Sequence, residues 1–141
     1  MKEFSWNDCL ESANSLKISP DKEKAKSLVE TAEERINCSI KEVNEKNANF
    51  IFEDYYSSLI EIVHSIALLN GYKINNHICL GYYIREILKR EDLFIIFDDL
   101  RYKRNALTYY GRRMDFPTAK YSISKAKKFI SELKKILKGF Y

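Results

Sequence analysis

Glycine and proline are scarce in this chain, at four and two residues of 141. Few tight turns can be built without them. With apolar residues at helical spacing along the chain, this favours an all-α protein of long elements. The glycines (Gly71, Gly81, Gly111, Gly139) are isolated, which excludes a glycine-rich phosphate loop. The serines are scattered, no Gly-x-Ser-x-Gly elbow occurs, and neither histidine is paired with an expected nucleophile, so nucleophilic catalysis has little support. Cysteine is limited to Cys9, Cys38 and Cys79, odd in number and far apart. Without a Cys-x-x-Cys pair, neither a zinc ribbon nor a redox motif is supported, and the three read as small buried hydrophobes. No apolar run reaches the roughly 18 residues that span a bilayer, so no membrane partner is expected. The start, Met1-Lys2-Glu3-Phe4-Ser5-Trp6-Asn7-Asp8, carries acids where a signal peptide needs a basic start and an apolar run, and a cytoplasmic location is expected.

Metal ligands are equally sparse. Glu61 and His64 form one Glu-x-x-His pair, whereas a di-iron bundle needs two such pairs and further carboxylates. His77 has no Glu three residues before it. No metal and no cofactor are expected, and His64 reads as a helix-flank residue hydrogen-bonded to a neighbour.

What is present describes one globular domain, 1–141, with 45% hydrophobic and 31% charged residues. Ten tyrosines and eight phenylalanines imply an aromatic core. The charge is unevenly distributed. Residues 1–100 hold 12 Lys+Arg against 18 Asp+Glu, and residues 101–141 hold 12 against 2. A basic C-terminal third can attract phosphates, or it can neutralise the acidic part within a monomer or across a dimer.

Residues 1–18 read as an N-terminal arm or short amphipathic helix. Ser19-Pro20-Asp21 starts a helix, with the serine as cap and the proline at the first helical position, that runs to about Asn47. A second helix spans about Asn49–Asn70 and stops at Asn70-Gly71, and Tyr72-Lys73-Ile74 is a connector. Asn75 or Asn76 caps a third helix with His77, Leu80, Ile84, Ile87 and Leu88 inward. The fourth runs from Glu91-Asp92 to Tyr110 and closes at Gly111. Pro117 opens the last, whose outer lysines (between Lys120 and Lys138) form a solvated face or a weak nucleic-acid surface. The architecture expected is a four- to five-helix up-and-down bundle.

The fourth helix holds the feature that packing does not explain. Leu93, Phe97, Leu100 and Leu107 fall at helical spacing, and Arg104 lies on the same stripe. Charges are rarely aimed at a core without a partner. If Arg104 is structural, the expected carboxylate is Glu53, or second Asp54, and Asp98 can pair with Arg101. If it is functional, Arg101, Arg104, Asn105, Thr108, Tyr109 and Tyr110 fall within about two and a half turns. Arginine suits bidentate phosphate contacts, while Asn and Tyr add hydrogen bonds and base stacking.

The order of elements, with Arg101-Tyr102-Lys103-Arg104-Asn105 followed by Tyr109-Tyr110-Gly111, resembles the HEPN superfamily (higher eukaryotes and prokaryotes nucleotide-binding) from about residue 20 to 138. The resemblance implies an HEPN-like bundle and a homodimer with the two motifs facing across a cleft. Many members are metal-independent ribonucleases with an Arg and, four to six residues later, a His. Others partner small nucleotidyltransferases in toxin–antitoxin pairs, with a modifiable Tyr. Here Tyr109 occupies the expected His position and Gly111 that of the modifiable Tyr, with Tyr110 displaced by one. The resemblance therefore implies a non-catalytic or weakly active protein binding RNA, nucleotide or a nucleotidyltransferase partner around Arg104. One alternative is a toxin-type metal-independent ribonuclease in which Arg104 holds phosphate and Tyr109, His64 or His77 assists. The other is an assembly protein with Arg104 in a buried ion pair.

Overall fold

The computed structural model describes residues 4–141, so the first three residues of the expected N-terminal arm lie outside the described ones. Six helices and one two-stranded ribbon follow in the order α1 (Trp6–Glu11), β1 (Ser15–Lys17), α2 (Lys22–Cys38), α3 (Ala48–Leu69), β2 (Tyr72–Ile74), α4 (His77–Glu86), α5 (Glu91–Tyr110) and α6 (Phe116–Lys138). This is the expected helical bundle. Among the described residues, no helix is long and apolar enough to cross a membrane.

The central element is α3, buried along most of its length, with α2 and α6 packed against it. The contact with α2 has a defined register. Ala25 and Ala32 on α2 are fully buried. Opposite them the hydroxyls of Ser65 and Ser58 donate to the Ala25 and Ala32 carbonyls at 3.0 and 3.2 Å. The partners are seven residues apart on each helix and in opposite order, as an antiparallel pair requires. Small residues let the two backbones approach, and the buried hydroxyls are satisfied. Arg35 closes the far end with an ion pair to Glu61.

Three expected boundaries are corrected. Asp21 caps α2 instead of Ser19: its carboxylate accepts from the Lys24 amide at 3.0 Å, and its own amide donates to Leu68. That helix ends at Cys38, well before Asn47. Ser39 turns into extended backbone and donates to Asp54 at 2.8 Å. Asn44 and Asn47 then accept from each other's amides at 3.0 and 2.8 Å, an alternative to continued helix. Residues 72–74, expected as a connector, form β2, which pairs antiparallel with β1 (Ser15 opposite Ile74).

The cysteines are also corrected. Cys9 and Cys79 are buried as expected, but they form a disulfide that ties α1 to α4 across 70 residues of sequence, and Cys38 is exposed. The same junction is packed by Trp6, whose ring meets Tyr72 and Tyr83 at 5.3 and 5.5 Å and whose amide donates to Glu86.

The far end of the bundle is fixed by one buried amide. Asn49, at the start of α3, donates to the Met114 carbonyl at 3.1 Å and accepts from the Met114 amide at 3.0 Å. The loop between α5 and α6 is thereby held down. Asp115 then caps α6 by accepting from Thr118.

Closing a loop of this length by a disulfide is worth about 2–4 kcal/mol. Reduction, or the Cys9→Ser/Cys79→Ser double variant, is expected to lower the thermal midpoint by roughly 5–15 °C. Calorimetry with and without reductant checks this, and an unchanged midpoint would contradict it.

Candidate phosphate-binding site

Helix α5 presents Leu93, Phe97 and Leu100 to the core, all buried. Arg104 continues that stripe one turn later and is half-buried. Its guanidinium carbon lies 5.7 Å from the centroid of Tyr56 on α3 and 5.8 Å from that of Tyr109 on its own helix. Its Nη1 donates to Asn105 Oδ1 at 3.5 Å. Among the described residues no carboxylate pairs with it. The expected ion pair with Glu53 or Asp54 is therefore corrected. Asp54 is taken by Ser39, and Arg104 is held by aromatic faces instead of a counter-ion. One turn back, Arg101 pairs with Asp98 at 2.9 Å, the pairing the sequence suggests.

The structure adds two side chains from outside α5. His77 is the first residue of α4, set by Asn76, whose side chain accepts from the Cys79 amide at 2.8 Å. The His77 Nδ1 lies 3.1 Å from the hydroxyl of Tyr56, the ring beneath Arg104. Burial, and then the positive charges of Arg104 and Arg101, lower the His77 pKa below its ordinary value. The imidazole is therefore neutral at pH 7. Burial pushes the Tyr56 phenol up to about 12 although both arginines pull the other way, so it keeps its proton. Three helices thus assemble two guanidiniums, a neutral imidazole and a phenol that fixes the imidazole ring.

Asn105 and Tyr109 also line an adjoining cavity of about 400 Å³, together with Tyr102, Ala106, Tyr110 and Arg112. Thr108 is exposed and lines neither the Arg104 cluster nor this cavity. His64 stands apart, in a smaller hollow with Lys24, Leu28 and Tyr72. Its side chain makes no hydrogen bond among the described residues, against expectation. Burial first, then His77 and Lys24, lower its pKa to about 4. No His/Cys/Asp/Glu cluster able to hold a metal occurs among the described residues. Several α6 lysines are already engaged, Lys134 with Glu33 and Lys135 with Glu132, as befits a solvated face.

The sequence offered no signal for Tyr56, which sits in a run of core spacings. For His77 the signal was weak: a histidine directly after an asparagine cap, at the positive end of a helix.

Two outcomes follow from the electrostatics. Arg104→Gln removes a cation and is expected to raise the His77 pKa, read by NMR titration of the imidazole; an unmoved pKa would place the two groups apart. For His64 the folded pKa lies below the unfolded one. Its contribution to stability is therefore complete above about pH 6.5 and is lost as pH falls towards 4. Denaturant titrations should show a loss of about 3 kcal/mol from this group across that range, so His64→Leu should lose correspondingly less stability than wild type on acidification.

No protein-family model, curated protein or solved structure matches the chain, so what the site can do follows from its own residues.

Proposed function

We propose that the protein binds RNA by holding a backbone phosphate at Arg104, with Arg101 and Asn105 beside it. The observation that carries this reading is a half-buried guanidinium with no carboxylate counter-ion among the described residues. Ring contacts compensate a desolvated cation only in part, at about 0.5–2 kcal/mol each. A phosphate oxygen would complete its hydrogen bonding, and charge-assisted bonds of this kind are worth about 1.5–3 kcal/mol. Arg104→Ala is expected to weaken binding of a short RNA roughly 10- to 100-fold in a fluorescence-anisotropy titration. Because no ion pair is broken, Arg104→Met should leave folding stability within about 1 kcal/mol of wild type, against the 3–5 kcal/mol typical of a severed buried pair. Unchanged RNA affinity in Arg104→Ala would overturn the reading.

A second reading, metal-independent strand cleavage, is favoured by one observation: a neutral histidine hydrogen-bonded to Tyr56 beneath Arg104. In it, His77 takes the proton of a 2′-hydroxyl, O2′ attacks the phosphorus that Arg104 holds, and the P–O5′ bond breaks. The proton passes to O5′, leaving a 2′,3′-cyclic phosphate and a 5′-hydroxyl. Here His77 stands in for the histidine that the α5 motif lacks. In chelator, His77→Ala is expected to cut about 10²–10⁴-fold more slowly than wild type, with RNA affinity retained. Cleavage that survives both His77→Ala and Arg104→Ala would overturn this reading. Binding without any cleavage by wild type would leave the first reading alone.

A further inference from the structure

Beyond the phosphate contact, the C-terminal turns of α5 form a shaped aromatic surface that core packing does not use. Tyr102, Tyr109 and Tyr110 are 68%, 68% and 76% exposed. They are not loosely held. Gly111, at φ +63°, caps the helix in the left-handed region, and the amides of both Gly111 and Arg112 return to the Ala106 carbonyl. This turn brings Arg112 back beside the tyrosines and closes the cavity of about 400 Å³. The Asn49–Met114 hydrogen bonds hold the loop that follows. The volume falls within the roughly 300–1,000 Å³ typical of small-molecule sites. Asn105 and Tyr109 belong both to this cavity and to the surroundings of Arg104, so the two sites are contiguous. Past the cavity, Arg113 lies 5.8 Å from the centroid of Phe50, another exposed ring.

We infer that this cavity is a stacking site for an unpaired nucleobase, the base of a nucleotide adjoining the phosphate at Arg104. The inference rests on the phosphate reading above and names its ligand as single-stranded RNA. The argument is chemical complementarity. Tyrosine faces stack on any base, an arginine plane and its charge favour a polyanion, and a groove combining the two is the usual device for single strands. With its carbonyl oxygen facing Arg104, Asn105 keeps an amide N–H₂ that can donate to a base edge. A base held inside a duplex cannot enter the cavity, so discrimination is by strand state and tolerant of sequence.

The test compares three probes of equal length by anisotropy: a single-stranded RNA, the same RNA annealed to its complement, and an abasic sugar–phosphate strand. For wild type, the single strand should bind roughly 10-fold or more tightly than either of the others. Tyr102, which does not touch Arg104, supplies the decisive variant. Tyr102→Ala should lose most of that margin while abasic binding stays as in wild type, and Tyr102→Phe should keep it. A 2-aminopurine placed in the strand should be quenched on binding to wild type and not to Tyr102→Ala. If the abasic strand binds as tightly as the RNA and Tyr102→Ala changes neither, the base site is overturned and the phosphate site stands. If Arg104→Ala changes no probe, the phosphate reading itself has failed and the base site falls with it. If Tyr102→Ala weakens all probes equally and dissociates a dimer by sedimentation, the tyrosine face is a contact between copies of this chain and the inference is overturned.

Discussion

Everything in this fold answers to the burial of α3. Fifteen of its 22 residues are inaccessible, so no single partner helix can cover it. A helix apolar on nearly all sides has to be enclosed. The enclosing elements divide the work. Through its alanines and the α3 serines, α2 comes close; α6 covers another side with Ile123, Ala126, Phe129, Ile130 and Leu133. By contrast, α5 meets α3 and α6 only lightly and packs mainly on α4. That leaves its last two turns on the rim, where Arg104 can lie half in the bundle over Tyr56 and half in water.

The charge at that rim is arranged unlike an ordinary surface. The nearby cation Arg101 is matched by Asp98, and Lys103 by Asp99 at 2.8 Å, pairs worth at most about 1 kcal/mol each. Arg104 is the exception on its helix. The two rings that flank it hold its position without cancelling its charge, which adds to burial, the larger cause, in lowering the His77 pKa. The folded chain thus leaves a positive charge in a partly desolvated place, beside the His77 imidazole and the exposed rings of Tyr102, Tyr109 and Tyr110, and the proposed binding of a single strand rests on that arrangement.

Much of this was legible in the sequence, for identifiable reasons. Helices α3, α5 and α6 are long, strongly periodic and punctuated by Asn70-Gly71, Gly111 and Pro117, so their positions could be read within a residue or two. The end of α2 could not, because Ile40 and Val43 keep the helical spacing after the helix has stopped, and what stops it is a side-chain contact with Asp54 on another helix. Strands of three residues are too short for alternation to show, and β1 exists only because residue 74 lies beside it. The Cys9–Cys79 bond obeys no spacing rule, since two helices at opposite ends of a 70-residue segment must first be packed together. In the site, Arg104 announced itself as a charge on an apolar stripe. Its companions Tyr56 and His77 did not, because their proximity depends on how α3, α4 and α5 cross, which one-dimensional spacing does not encode.

The disulfide has a consequence for how the molecule can be observed. With Cys9 and Cys79 bonded, Cys38 is the sole free thiol, and it is exposed at the C-terminal end of α2. A maleimide fluorophore or spin label added without reductant would therefore attach at one defined position, on a helix that contributes nothing to the Arg104 cluster. The fold supplies a single-site reporter with no substitution at all.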